Sequence, residues 1–396
     1  MTIFMTILQT EFLKIMSKKY IWIFSLVLAV FYIFISTGTK DSISVVYSDA
    51  LQPVFEEINE AAYTPKIREY IIKNEYDIKI DDIKPFLSPK IAATVETYRG
   101  KTFREVDVAG WLWEHEVKNR IVNLVKRNVA LEDKIKQLQA SPNNALNRYL
   151  LEQYSNMPKI EANITRWDNW IDSNKTLLPG IIAFIIILSI SGVYSNEYTN
   201  KMHGNLLTSK KGRMELFWSK LVASSLFSGL CVIAFQVLNA AILTWMYGVP
   251  FTDTPLNSLT LFYMMPTSLM ALQLYIMQLV GSMLGALVLT AVVLCISSLC
   301  KTNLLSFFIS GIYFGIGFIL SNTLEGGYIS SLFTLPGEVS TFSLMSLVDV
   351  LGSGKVFLAF GTVVPTIIIT LGVQLCIMVV AIALTYHFYT RKQVSV

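Results

Sequence analysis

The sequence predicts an all-α membrane protein: six transmembrane helices, with a mainly helical extracytoplasmic insert between the first two. Three observations lead there. Six apolar stretches (20–36, 177–194, 221–247, 279–299, 304–320 and 366–386) carry no charged side chain in their interiors. Only 15% of the 396 residues are charged, against about 25% in soluble proteins, and residues 39–176 form an ordinary water-compatible exception. Basic residues gather on one side of the stretches. A hydrocarbon core about 30 Å thick takes about 20 apolar helical residues to cross. Lipid offers the backbone no hydrogen bonds, so each crossing must be a helix.

Residues 1–19 come first. Ile3, Phe4, Ile7, Leu8, Phe12, Ile15 and Met16 recur at helical spacing beside Lys14, Lys18 and Lys19, the pattern of an amphipathic helix at the cytoplasmic membrane surface. Span 1 follows at 20–38 and reads as an uncleaved anchor, because no small-residue cleavage site follows it. The insert is 39–176, span 2 is 177–195, and a cytoplasmic loop takes 196–220. Residues 221–396 supply spans 3 to 6. Within them, 256–278 (interrupted by Pro266) and 330–360 read as outer re-entrant or interfacial segments.

Short cytoplasmic loops collect Lys and Arg, whereas large domains cross largely regardless of charge. With both termini inside, the inner segments hold Lys14, Lys18, Lys19, Lys201, Lys210, Lys211, Arg213, Lys220, Lys301, Arg391 and Lys392. The outer segments 248–278 and 321–365 hold only Lys355. The expected location is therefore the plasma membrane, with 39–176 outside. The net charge of +4 belongs to this asymmetry and gives no reason to expect a nucleic-acid partner. Cys231, Cys295, Cys300 and Cys376 all fall in or beside spans, which argues against a disulfide framework.

In the insert, Val117, Ile121, Leu124, Asn128, Leu131, Ile135 and Leu138 alternate at spacings of four and three. After the turn at Ser141-Pro-Asn-Asn144 the pattern resumes at Leu146, Leu150, Gln153, Met157, Ile160, Ile164, Trp167 and Ile171. Two such seams predict an antiparallel helical hairpin, with Asn128 and Gln153 able to fix register if they meet. Pro158 should bend the second arm, which runs on toward span 2. Residues 42–110 read as short helices broken by prolines.

The loop 196–220 offers the best pointer to function. Leu206 and Leu207, beside His203, Gly204 and flanked by Lys201, Lys210, Lys211 and Arg213, make an apolar knob in a basic collar. Such a knob suits a groove on a soluble partner. An ordinary basic inner loop accounts for the charges, but less well for Glu197 and the spacing. The arrangement resembles the membrane subunits of the type-2 ATP-binding-cassette exporter family. In that family an acid after span 2, a Gly-Thr pair, paired leucines, a basic turn and a Lys opening span 3 follow in order. Glu197, Gly204-Asn205, Leu206-Leu207, Lys210-Lys211-Gly212-Arg213 and Lys220 take those places, with Asn205 departing from Thr and the turn lacking its Pro. The resemblance covers the membrane part and implies a permease that couples to a cytosolic ATP-binding-cassette ATPase. It implies that Glu197 starts or caps a coupling helix, that Leu206 and Leu207 anchor it, and that the basic residues orient it. It also implies a second permease subunit, identical or related. ATP and Mg2+ would be bound by the ATPase, with no cofactor on this chain.

The chain's own chemistry fits that division. Gly352-Ser-Gly-Lys355 fails as a phosphate loop, because Asp349 and Val356 stand where Gly and Ser/Thr are required. His115, His203 and His387 are dispersed, so no metal site or catalytic set is expected. Carriers driven by proton or sodium gradients use ionisable groups inside the membrane, and the span interiors have none. Gln236, Asn239 and Gln374 are expected to bond between helices, and Gly281-Ser-Met-Leu-Gly285 permits a close helix contact, conceivably between subunits. The function expected is an ATP-driven export permease for an amphipathic peptide, lipid or drug. A membrane sensor or scaffold whose outer domain binds a ligand without transport is the alternative.

Overall fold

The computed structural model describes residues 2–37, 48–161, 166–199, 210–250, 252–259, 262, 265, 267–322, 336–352, 356–359 and 362–391. Helix α1 (Thr2–Met16) and span helix α2 (Lys19–Thr37) come first. The insert, expected to form the outer domain, contains α3 (Phe55–Tyr63), α4 (Pro65–Lys73), α5 (Pro89–Glu96), a small hairpin of β1 (Thr102–Phe103) and β2 (Val106–Asp107), α6 (Asn119–Ala140) and α7 (Ala145–Ser155). The chain then returns through α8 (Arg166–Asp172), α9 (Leu177–Ile190) and α10 (Gly192–Thr199). Next come α11 (Lys210–Tyr247), α12 (Ala271–Leu299) and α13 (Asn303–Asn322), then the short α14 (Thr341–Ser346) and α15 (Val348–Gly352). A hairpin of β3 (Val356–Ala359) and β4 (Thr362–Pro365) leads into α16 (Thr366–Arg391).

Among the described residues, six helical segments are long and apolar enough to cross a membrane: Lys19–Thr37, Trp167–Glu197, Met214–Tyr247, Ala271–Leu299, Asn303–Asn322 and Thr366–Tyr389. The fold is all-α in its membrane part, as expected, and the strands among the described residues form two β hairpins. Burial orders the spans. In α9 and α12 most side chains are covered, whereas α2 buries only Ile21 and Tyr32. Thus α9 and α12 form the centre, and α2, α13 and α16 present Leu26, Phe34, Leu304, Ile312, Ile368 and Val379 outward. Aliphatic side chains can face outward here because lipid is as apolar as they are.

Several expectations are corrected. The segment 256–278 is divided, for α12 starts at Ala271 and its first two turns belong to the span helix. Residues 330–360 contain α14, packed against α12 and α13. Gly281 and Gly285 serve that contact, so they form no seam for a second subunit. A Cβ on Gly281 would lie 2.8 Å from the Leu344 carbonyl oxygen, and one on Gly285 would overlap the Met345 side chain and lie 3.1 Å from its backbone nitrogen. The apparent helix-pair motif therefore admits the short helix α14 of the same chain.

In the outer domain α6 and α7 do pack as a hairpin, with Asn144 capping α7 by accepting from the Asn147 amide at 2.8 Å. The second arm ends at Ser155, three residues before Pro158, and does not run on into span 2. Asn128 does not meet Gln153. It donates to the Leu124 carbonyl at 2.8 Å and accepts from the Tyr63 hydroxyl at 3.2 Å. Ile121, Leu124, Leu131 and Ile160 pack in one core with α3, α4 and α5, so the seam faces the rest of the domain more than its own second arm. Gln153 is half-buried on α7. Trp167 belongs to a different cluster with Trp170 and Tyr275, and Ile164 lies outside the described residues.

Substituting Gly285→Ala should lower the thermal unfolding midpoint in detergent by the equivalent of about 1–3 kcal/mol, the cost of overpacking. Gly311→Ala, where nothing lies within 4 Å, should leave it unchanged or raise it, since Gly inside a helix costs about 0.5–1 kcal/mol relative to Ala.

Candidate coupling site

At one end of the spans, helices converge on a buried ion cluster. At 38 residues, α11 is about 57 Å long at 1.5 Å per residue. It exceeds the bilayer core and carries Lys220 toward its N-terminal end. The Lys220 ammonium lies 2.8 Å from Glu11 on α1 and 2.8 Å from Glu197 on α10, and donates to the Val193 carbonyl at 3.3 Å. Three donors meet three acceptors, which is all an ammonium can use. Lys220 is only 2% exposed and its carboxylate partners 6% and 12%. A buried charge is tolerated only when paired and hydrogen-bonded. This one is both. The Tyr194 ring lies 5.6 Å from the ammonium and packs 5.0 Å from Tyr389 of α16.

Electrostatics reinforce the arrangement. Burial alone would raise the Glu11 carboxyl, but the charges and hydrogen bonds of Lys220 and Lys14 outweigh it and hold Glu11 below its ordinary 4.5. Lys14 approaches Glu11 at 2.5 Å. Lys18 donates to the Ser189 carbonyl at 3.0 Å, and burial together with the nearby Lys220 charge brings its ammonium down to about 8.

The short helix α10 is pinned from further sides. Ser297 of α12 accepts from the Tyr194 and Ser195 amides at 3.1 and 3.2 Å and donates to the Ser191 carbonyl at 2.6 Å. The Ser191 hydroxyl donates to Asn303 of α13 at 2.8 Å. So α10 meets α11, α12, α13 and α16, and reaches α1 through the Lys220 ammonium that Glu197 and Glu11 share. Whatever displaces α10 pulls on all of them.

The described ends of the anticipated 196–220 loop are helical. Its ends continue α10 to Thr199 and start α11 at Lys210, which places Lys210, Lys211 and Arg213 in the opening turns of α11. His203, Gly204, Leu206 and Leu207 lie outside the described residues. Glu197, expected at the start of a coupling helix, stands in the second turn of α10 with its carboxylate on Lys220. Sequence reasoning missed Glu11 altogether. The signal was there: Glu11 is an acid on the apolar stripe of α1, four residues after Ile7 and four before Ile15. Among the described residues no group of His, Cys, Asp and Glu could hold a metal.

The sequence model of one family, described as ABC-2 family transporter protein, matches residues 5–394. No curated protein and no solved structure gives a significant match.

Replacing Lys220→Met leaves two carboxylates buried without their shared cation. The expected loss is about 3–5 kcal/mol, as for other broken buried pairs, read as a fall in unfolding midpoint and as faster amide exchange in residues 2–16. The same exchange, corrected for its intrinsic rate, gives a pH test. A depressed carboxyl contributes stability above its ordinary pKa and loses it as pH falls through the docked value. Protection of α1 should therefore persist from pH 7 down to about 4.5, the undocked Glu value, and collapse below that.

Proposed function

Because the chain belongs to the ABC-2 transporter family, and is thereby a multi-pass membrane component of an ATP-binding-cassette transporter, we propose that it is the permease of an ATP-driven exporter. A separate cytosolic ATPase seats on residues 200–209, with Leu206 and Leu207 as apolar anchors and His203, Gly204, Lys210, Lys211 and Arg213 shaping or orienting the contact. ATP and Mg2+ are bound there and not by this chain. Two permease subunits, identical or related, pair in the plasma membrane with their termini in the cytoplasm and residues 39–176 outside. The cargo is amphipathic (a peptide, lipid or drug), in keeping with span interiors free of ionisable groups.

The observation that carries this reading is the Lys220 cluster. Residues 200–209 are bracketed by α10 and α11, and the Glu197–Lys220 pair ties those two helices together directly at the base of the bracket. A partner that grips the intervening segment therefore acts on a stiff pair of helices, each bonded to further spans. Transmission requires such a stiff mount, because a displacement applied to a slack loop is absorbed within it. Glu11 extends the mount to α1, which lies beside the headgroups of membrane lipid.

Co-purification with the cognate ATPase, followed by ATP turnover in lipid, tests the proposal. The double substitution Leu206→Asp/Leu207→Asp should abolish assembly or cut turnover at least tenfold while the spans still insert. Undiminished turnover in that variant excludes the coupling role. A chain that neither binds the ATPase nor alters its turnover is a sensor or scaffold.

A further inference from the structure

The outer domain does not hang from span 2 by a slack tether. Three hydrogen bonds fasten it to the segment that precedes α12. Asn257 donates from Nδ2 to the Pro158 carbonyl at 2.6 Å, the Ser258 hydroxyl accepts from the Glu161 amide at 3.0 Å, and the Ser258 carbonyl accepts from Arg127 of α6 at 3.1 Å. Asn257 is fully buried and Ser258 is 7% exposed. Their neighbours Leu256 and Leu259 pack with Phe262, Trp167, Trp170, Tyr275, Leu344 and Leu347 in an apolar layer over the outer ends of α11, α12 and α14. That layer is a floor between the outer domain and the spans. The strand β4, which leads into α16, also lies against α7.

The fastening leaves acceptors over. Asn257 gives its donor to Pro158, while its Oδ1, equally buried, has no hydrogen-bond partner among the described residues. Nearby, Gln278 of α12 donates to the Ser346 carbonyl at 3.0 Å, and among the described residues Gln278 Oε1 and the Ser346 hydroxyl are likewise buried without a partner. A buried polar group without a partner recovers its desolvation penalty when water reaches it. Parting at these joints therefore exposes groups that gain by hydration, and the joint itself consists of three hydrogen bonds.

We propose that Asn257 and Ser258 form a latch. Closed, it ties the floor to the stem 156–161 and to α6; open, it lets floor and outer domain separate, so the outer mouth opens only when the outer domain releases it. The gating of export rests on the exporter reading above, whereas the existence of a concerted latch does not.

The test uses the full chain in lipid nanodiscs. In Asn257→Ala/Ser258→Ala, amide exchange should rise at least tenfold in residues 156–161 and 252–259 together, with no change in the inner half of α12. Acceleration of one segment alone, or of neither, overturns the latch. A second arm keeps the latch closed covalently. Glu161→Cys/Ser258→Cys, in a chain with its four native cysteines replaced by Ser, is bridged by a short reducible thiol reagent and assembled with the cognate ATPase. Bridging should cut ATP turnover at least fivefold, and reductant should restore it. Full turnover with the bridge complete overturns the gating role. If the unbridged chain itself leaves ATPase turnover unaltered, the exporter reading fails, and the exchange arm still decides the latch.

Discussion

Lipid supplies neither donors nor acceptors, and that constraint governs where this chain can depart from a plain helix. At several of the described breaks between helices, a polar side chain from a neighbouring helix attends the backbone. Gln374 of α16 donates to the Val339 carbonyl at 2.5 Å and accepts from Thr341, the first residue of α14. Ser282 of α12 donates to the Met345 carbonyl at 2.8 Å. Ser297 serves the breaks around α10. Where α8 gives way to α9, Gln236 donates to Asn174 at 2.9 Å, and Asn239 donates to Ser173 while accepting from Tyr32 at 2.5 Å. These amides and hydroxyls inside the spans are joinery for the irregular segments, whereas others, such as the Ser228–Thr290 pair at 2.6 Å, join α11 directly to α12.

The Lys220 cluster follows the same logic with charges, and the stakes are higher. A buried ion pair contributes little net stability compared with an apolar replacement, because desolvation offsets the Coulomb attraction. Its value lies in geometry. A lysine with three fixed acceptors has one acceptable position, and so do the helices that supply them. An apolar patch of equal area would allow α1 and α10 to slide, since dispersion contacts are non-directional. A mount for a mechanical input needs a defined seat more than it needs stability.

Span number, the charge-free interiors and the helical hairpin were legible in the sequence because each has a periodic signal that local physics enforces. The bonding roles of Gln236, Asn239 and Gln374 were legible too, since an amide in lipid has few alternatives. Partners separated by long stretches of chain were not. The Glu11–Lys220 pair spans 209 positions, and no spacing rule reaches that far. The heptad seam misled for a related reason: a stripe of Ile121, Leu124 and Leu131 records that something apolar covers it, but not what. Here α3 and its neighbours cover most of it. Gly281 and Gly285 report close approach in the same way, with the short helix α14 of the same chain in the place a second subunit was expected.

The inner cluster and the outer floor share one structural member. Ser297, near the C-terminal end of α12, holds α10, and on the same helix Gln278 and Ser282 hold the turn carried by α14. Between Gln278 and Ser297 the helix carries no proline; of the features at which sharp kinks occur it has one, the Gly/Ser pair Gly281-Ser282. The glycines that might weaken it, Gly281 and Gly285, are clamped by α14. The seat of α10 and the turn carried by α14 are therefore held at two ends of one helix, and on that shared support the proposed coupling and the proposed latch both rest.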